Sequence, residues 1–246
     1  MDNFIFKRYK RYKRIKNIVN KTFRNSDECY SHAFFVGSYG RGTAVKESDI
    51  DILMELPNAL FYQFALRHGN SQSQLLGTLR NAILETFPGS DVRADGQVVK
   101  INFCDGMKFE LLPAFKNPDG SYCYPDSNKG GKWCITDPKI EKLAMRYANR
   151  ESGGLLFYIC KLIRNVHNHK FKSYKLSGFV VDSFVYSCIE TWLSESANSF
   201  DDILWEKAFE LANGGTLRAP GSEELVDFND SLDCLIKILR DISIQI

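Results

Sequence analysis

The 246-residue sequence predicts an α+β protein, with a mixed α/β front half and an all-helical back half. Three observations carry that prediction. Polar and apolar residues alternate through Ser48-Asp49-Ile50-Asp51-Ile52 before the run turns apolar at Leu53-Met54, the period of a strand. Two apolar runs, 98–103 and 108–112, are joined by Cys104-Asp105-Gly106-Met107, and Asp-Gly between such runs is a strong hairpin signal. Beyond Pro138 the apolar residues instead recur at steps of three and four, as on helices.

Taken in order, residues 1–24 hold nine Lys or Arg against the single acid Asp2, a local +8, while residues 25–246 hold 23 basic against 29 acidic residues, or −6. Tyr9, Tyr12, Ile15, Ile18, Val19 and Phe23 recur at helical spacing here, so one face can dock on the body while the other presents charge. A charge run alone favours the solvated face of a packed helix over a nucleic-acid-binding surface. Ala33-Phe34-Phe35-Val36 is a short buried strand that ends at Gly37, followed by the glycine-rich loop Gly37-Ser38-Tyr39-Gly40-Arg41-Gly42-Thr43. Leu75, Leu76, Leu79, Ile83 and Leu84 predict a helix from about 72 to 86, and the 98–112 hairpin adds two strands to the same sheet. In the back half, Leu155, Ile159, Leu162 and Val166 mark one helical stripe, and an apolar segment spans 177–193. Leu225, Phe228, Leu232, Leu235, Leu239 and Ile242 outline a last amphipathic helix, opened by Ser222 with Glu223 and Glu224 in its first turn.

Composition excludes several classes. No apolar stretch approaches the roughly 20 residues of a membrane span. The Lys- and Arg-rich first twenty residues lack the apolar core of a secretory signal, so a cytoplasmic location is expected. The seven cysteines (Cys29, Cys104, Cys123, Cys134, Cys160, Cys188 and Cys234) contain no Cys-x-x-Cys pair and read as reduced, mostly packing residues. His167 and His169 have no ligand partners nearby in sequence and read as a solvated helix end.

The chemistry-bearing residues lie in the front half. Asp49 and Asp51 fall on one face of a predicted strand while Ile50 and Ile52 enter the core on the other. Two carboxylates about 5 Å apart repel by roughly 3 kcal/mol at an effective dielectric of about 20, so something must offset them. Water at an exposed edge could do so for a lone Asp-x-Asp. Here a glycine-rich loop precedes the pair, and Gly37 and Ser38 can bring amides and a hydroxyl to an anion. Hard-oxygen donors for a divalent cation and amides for phosphate are the two halves of a metal-nucleotide site. Glu110 is the one acid in an otherwise apolar strand, where an unpaired carboxylate is costly. Asp105 belongs to the turn and is given no catalytic role.

Gly37-Ser38, ten intervening residues, then Asp49-Ile50-Asp51 resembles the signature of the polymerase-β-type nucleotidyltransferases, and Phe109-Glu110-Leu111-Leu112-Pro113-Ala114-Phe115 resembles the setting of their third acid. The stretches at 37–44, Asp95-Gly96-Gln97-Val98-Val99, Trp133 to Pro138 and Leu176 to Asp182 are similar to those of bacterial CD-NTases, relatives of cyclic GMP-AMP synthase, and the likeness covers about residues 5–240. The resemblance implies a nucleotidyltransferase core with a mixed sheet and a long basic N-terminal helix (1–135), then a helical lobe (136–246), bilobal with a central cleft. It implies that Asp49, Asp51 and Glu110 bind two Mg²⁺ ions, with Mn²⁺ able to substitute. Gly37 and Ser38 would hold phosphate, Arg164 would reach the triphosphate with Lys161 one turn earlier as the alternate, Ser177 would lie near the phosphates, and Phe179 would stack on the base. Gly178 departs from the family pattern, standing where cyclic GMP-AMP synthase has a second consecutive serine. The implied activity is synthesis of a cyclic di- or trinucleotide second messenger from NTPs, with release of pyrophosphate, in anti-phage signalling. Activity is expected to need no nucleic acid, because the zinc insertion of the animal relative has no cysteine pattern here, and the resemblance leaves room for a regulatory protein partner. Nucleotidylation of a small molecule or protein, or an inactive nucleotide or nucleic-acid sensor, are the alternatives. Arg41 contacts phosphate or caps the loop, Tyr39 lines the site or packs beneath it, and Trp133 packs at the junction of the lobes.

Overall fold

The structure, a computed structural model, describes residues 3–25, 32–194 and 199–243; Cys29 lies outside them. The elements run α1 (Asn3–Arg24), β1 (Ala33–Phe35), α2 (Gly37–Arg41), β2 (Ile50–Leu56), α3 (Asn58–Ala65), α4 (Ser71–Thr86), β3 (Asp91–Asp95), β4 (Val98–Asn102), β5 (Lys108–Lys116), β6 (Tyr122–Asp126), β7 (Lys132–Thr136), α5 (Pro138–Glu151), α6 (Leu155–Lys170), α7 (Gly178–Ser194), α8 (Phe200–Ala212) and α9 (Asn229–Ser243). The chain divides into two compact units, Met1–Val36 with Asp49–Asp137 and Gly37–Ser48 with Pro138–Ile246. Segment 37–48, which the sequence reading keeps with the front half, thus belongs with the helices, because Arg41 and Thr43 are bonded to acids on α5 and α7.

The first unit is built on a mixed sheet in the order β1-β2-β5-β4-β3, with β6 beside the second half of β5 and β7 beside β6. Among the described residues β2 and β5 pair in parallel and the other neighbouring strands pair antiparallel. On β2, Ile50, Ile52, Met54 and Leu56 are buried, as the alternation predicts. Leu53 points the other way into a separate cluster with Ala114 and Tyr122, so both faces of this strand are covered. The 98–112 hairpin forms as expected. Asn102 pairs with Lys108, the Phe103 amide donates to the Met107 carbonyl at 3.0 Å, and Gly106 takes the positive φ of 84° that the turn needs.

Helix α1 docks through Ile15, Val19 and Tyr12, whose ring stacks on Phe35 at 4.9 Å. Tyr9, expected on that face, is exposed. Arg11 turns inward in its place, its guanidinium 3.8 Å from the Phe103 ring centroid and paired with Asp105 at 2.8 Å, since a flat cation on a long stem covers aromatic surface well. Trp133 packs on Phe61 and Phe115 inside this unit.

In the second unit α7 is the central helix: Val180, Val181, Phe184, Val185, Cys188 and Ile189 are all buried, against α6 and α8. The apolar face of α6 is Leu156, Ile159, Cys160 and Ile163, rotated from the expected stripe, which shares only Ile159 with it. Helix α9 starts at Asn229 and not at Ser222. Gly221 and Glu223 both have positive φ, and a bridge between Arg218 and Leu225 folds that segment into a turn. Cys160, Cys188 and Cys234 are buried packing residues, and burial pushes their thiols up. His167 and His169 bond backbone carbonyls at the exposed end of α6, as expected. Among the described residues no helix is long and apolar enough to cross a membrane.

Candidate functional site

The candidate residues fall in both units. In the first, the β2–β5 register sets Asp51 directly beside Glu110 on neighbouring parallel strands, whose spacing is about 4.8 Å. The end of β1 steadies this point, since the Val36 amide donates to the Asp51 carbonyl at 3.0 Å. The strand begins one residue after Asp49, so this side chain stands in the approach to β2, partly exposed, with Lys108 Nζ 3.8 Å away.

Glu110 keeps only 25% of its side chain exposed. Burial pushes its pKa up, Lys100 pulls it partly back, and the negative charge of Asp49 adds to the rise. Lys100 is the cross-strand partner of Glu110 on β4, with Nζ 3.3 Å from Glu110 Oε1 and 2.7 Å from Asp95 Oδ2. Among the described residues no three Asp, Glu, His or Cys side chains close on one point as a finished metal cage. What the sheet provides is a row of hard carboxylate oxygens, one of them desolvated and short of positive charge. That donor chemistry fits a divalent cation that prefers oxygen.

In the second unit Gly37, at φ 56°, opens the single turn of α2, and the Ser38 carbonyl accepts from the amides of Gly42 and Thr43 at 3.0 and 2.9 Å. Beneath this turn lies a buried ion cluster. Asp182 of α7 is 0% exposed. Its Oδ2 accepts from Arg41 Nε at 2.8 Å and Thr43 Oγ1 at 3.1 Å, and its Oδ1 faces Arg164 Nη2 at 2.8 Å. The aligned hydrogen bond of that Arg164 nitrogen goes to the Gly178 carbonyl at 2.7 Å, so the Oδ1 contact is ionic. Arg41 also donates to Glu141 at 2.9 Å. Burial alone would raise the Asp182 pKa; Arg164 and Arg41 together more than offset it and hold the carboxyl below its usual range.

Arg164, expected to reach a triphosphate, is therefore 7% exposed and committed to Asp182 and to the carbonyls of Cys160 and Gly178. Lys161, one turn earlier, keeps its ammonium 6.0 Å from the Phe157 ring centroid and is partly exposed, which leaves it the freer cation of the two. Ser177 is exposed and accepts from the Phe179 amide at 3.3 Å, so it caps α7. The Phe179 ring lies half-buried with the Arg41 guanidinium 4.9 Å from its centroid. Sequence reasoning gave no role to Lys100, Asp95, Asp182, Thr43 or Glu141. For Asp182 a signal existed: an acid set among apolar residues on both sides, Phe179-Val180-Val181 before it and Phe184-Val185 after it, close to the argument that selects Glu110.

The fold is shared with known proteins. Among solved structures the chain is similar to the Elizabethkingia meningoseptica CdnE cyclic dinucleotide synthase with GTP and Apcpp, at 14% identity and a TM-score of 0.68, covering 96% of this chain and 91% of that one. It is similar to the STING-associated CdnE c-di-GMP synthase from Capnocytophaga granulosa, at 17% identity and 0.64 over 96% and 80%. It is also similar to the Bradyrhizobium diazoefficiens CD-NTase CdnG in complex with GTP, at 12% identity and 0.62 over 97% and 85%. No curated protein matches the chain significantly. Residues 7–149, more than half of the chain, match the model of the Second Messenger Oligonucleotide or Dinucleotide Synthetase domain, and the protein belongs to that family of nucleotidyltransferases that synthesise cyclic oligonucleotides.

Proposed function

We propose that the protein joins NTPs, in the cytoplasm, into a cyclic di- or trinucleotide that signals in anti-phage defence, with Asp49, Asp51 and Glu110 holding two Mg²⁺ ions for which Mn²⁺ can substitute. The observation that carries the site assignment is the side-by-side register of Asp51 and the half-buried Glu110. Bound there, two such ions supply activation of a sugar hydroxyl and neutralisation of the triphosphate. In each step a 3′- or 2′-hydroxyl attacks the α-phosphorus of an NTP, one P–O bond forms, and the bond to pyrophosphate breaks; a last intramolecular step of the same kind closes the ring.

The remaining roles belong to the second unit. Lys161 and the Gly37-Ser38 turn bind phosphate oxygens. Phe179 supplies a stacking face that tolerates any base, which is why it does not fix base choice. Arg164, Asp182 and Arg41 set the start of α7 and the orientation of the Phe179 ring, and so act on the nucleotide through these neighbours. The GTP bound in the Elizabethkingia and Bradyrhizobium relatives supports NTPs as substrates.

The test is to incubate the purified protein with each labelled NTP, singly and mixed, in Mg²⁺ or Mn²⁺ and to resolve phosphatase-resistant products. Asp49→Asn with Asp51→Asn should reduce product at least about a thousandfold while the unfolding temperature stays within a few degrees of wild type. Retained product formation by the double variant refutes the metal assignment.

A further inference from the structure

We propose that Lys100 is the resident counter-ion of the acidic edge: its ammonium holds Glu110 until a divalent cation arrives, and Asp95 retains the ammonium once Glu110 turns to the metal. The proposal deepens the reading above and rests on Glu110 as a metal ligand.

The argument starts from the ladder. Lys100 and Glu110 are directly opposite each other on β4 and β5, while Asp95, at the end of β3, pairs with Val98, two residues from Lys100. One ammonium therefore stands between two carboxylates, 3.3 Å from Glu110 and 2.7 Å from Asp95. Glu110 is mostly withdrawn from water and stands in the negative field of Asp49 and Asp95, so a nearby cation is needed to offset that repulsion. Lys100 supplies that cation from the chain itself. Its hold on Glu110 is the longer of its two contacts, and its side chain is 39% exposed on a flexible four-carbon stem. A divalent ion, with twice the charge and room for several oxygens, displaces a tethered ammonium from Glu110 at the loss of one contact, because Asp95 keeps the other.

The two partners then act with opposite sign. Removing Lys100 removes a competitor, whereas removing Asp95 gives the ammonium wholly to Glu110. The test is Mn²⁺ binding to the metal-free, full-length protein without nucleotide, followed by the electron paramagnetic resonance signal of free Mn²⁺, with thermal unfolding as the check on folding. Lys100→Gln, and independently Lys100→Met, should bind Mn²⁺ roughly three- to tenfold more tightly. Asp95→Asn should bind it roughly two- to fivefold more weakly. The double variant Asp95→Asn with Lys100→Gln should match Lys100→Gln alone, since Asp95 acts through the ammonium. Unchanged or weaker binding by both Lys100 variants overturns the proposal, as does an Asp95 effect that persists undiminished without Lys100. Glu110→Gln separates the two layers. If it binds Mn²⁺ as wild type does, the metal assignment fails and the counter-ion role with it. If it loses binding while the Lys100 variants are unaltered, only the counter-ion role fails.

Discussion

Replacing Asp182 by Asn should destabilise the helical unit by about 3–5 kcal/mol, the cost of removing one partner from a buried ion cluster. The substitution keeps shape and removes charge. It leaves Arg41 with Glu141 as its remaining acid and Arg164 with only the carbonyls of Cys160 and Gly178, at a position wholly closed to water. The amide oxygen can still accept from Thr43 and Arg41, which favours the lower half of that range. For a unit of about 120 residues, each kcal/mol corresponds to about 4 °C, so the midpoint should fall by roughly 12–16 °C. Calorimetry across a pH series reads both size and sign. Because the Asp182 pKa is depressed in the folded state, its contribution is complete above the unfolded value of about 4 and is lost only as pH falls through the lower folded value. The gap between wild type and Asp182→Asn should therefore stay constant from pH 8 to about 5 and close only below about 4. A gap under about 4 °C at pH 7, or one that already shrinks between pH 7 and 5, would refute the account of the cluster.

Two further outcomes follow from other parts of the molecule. Gly131→Ala should lower stability by about 2–4 kcal/mol in thermal unfolding, because the residue has φ 94° and a Cβ would stand 2.4 Å from Gln72 Oε1 and 2.6 Å from Asn70 Oδ1. Product formation should survive nuclease treatment of the purified protein at full rate, as expected for an enzyme with no nucleic-acid requirement; loss of activity restored by added duplex would show the opposite.

What could be read from sequence tracks how much of the signal each residue carries alone. Ile50 and Ile52 are buried by alternation within one strand, and Asp105-Gly106 closes a hairpin by local turn chemistry, so both were legible. Strand β3 exposes most of its side chains, burying only Val92, and is held by its ladder with β4, a long-range fact with no local pattern. The start of α9 misled because Leu225 and Phe228 continue the helical period by coincidence and Ser222 with two glutamates imitates a cap. The positive φ at Gly221 and Glu223 breaks the helix there, although Pro220-Gly221 was a turn signal in plain view. The resemblance assigns Arg164 to the triphosphate, and the stripe Leu155, Ile159, Leu162 and Val166 puts it on the face opposite the core. With the true face at Leu156, Ile159, Cys160 and Ile163, Arg164 borders the interior and meets Asp182.

Glu110 and Asp182 look alike in sequence, each an acid flanked by apolar residues, yet they end in opposite electrostatic states, and under the proposed function that difference is what separates a ligand acid from a structural one. Asp182 is enclosed by two guanidiniums, and its net shift is downward: its demand for positive charge is met by the fold, and no ion from solvent has a place there. Glu141 shares Arg41 with Asp182 and is pushed up by burial, but at 5% exposure it too is closed to incoming ions. Among the described residues Glu110 has the one ammonium that it divides with Asp95, an acid beside it in the ladder, a raised pKa and a quarter of its side chain open to water. The fold thus leaves this carboxylate short of positive charge at a point that solvent ions can reach. A chain selected only for stability would pair such an acid as fully as Asp182 is paired; one that must take up and release divalent cations with each nucleotide has reason to leave it as it stands.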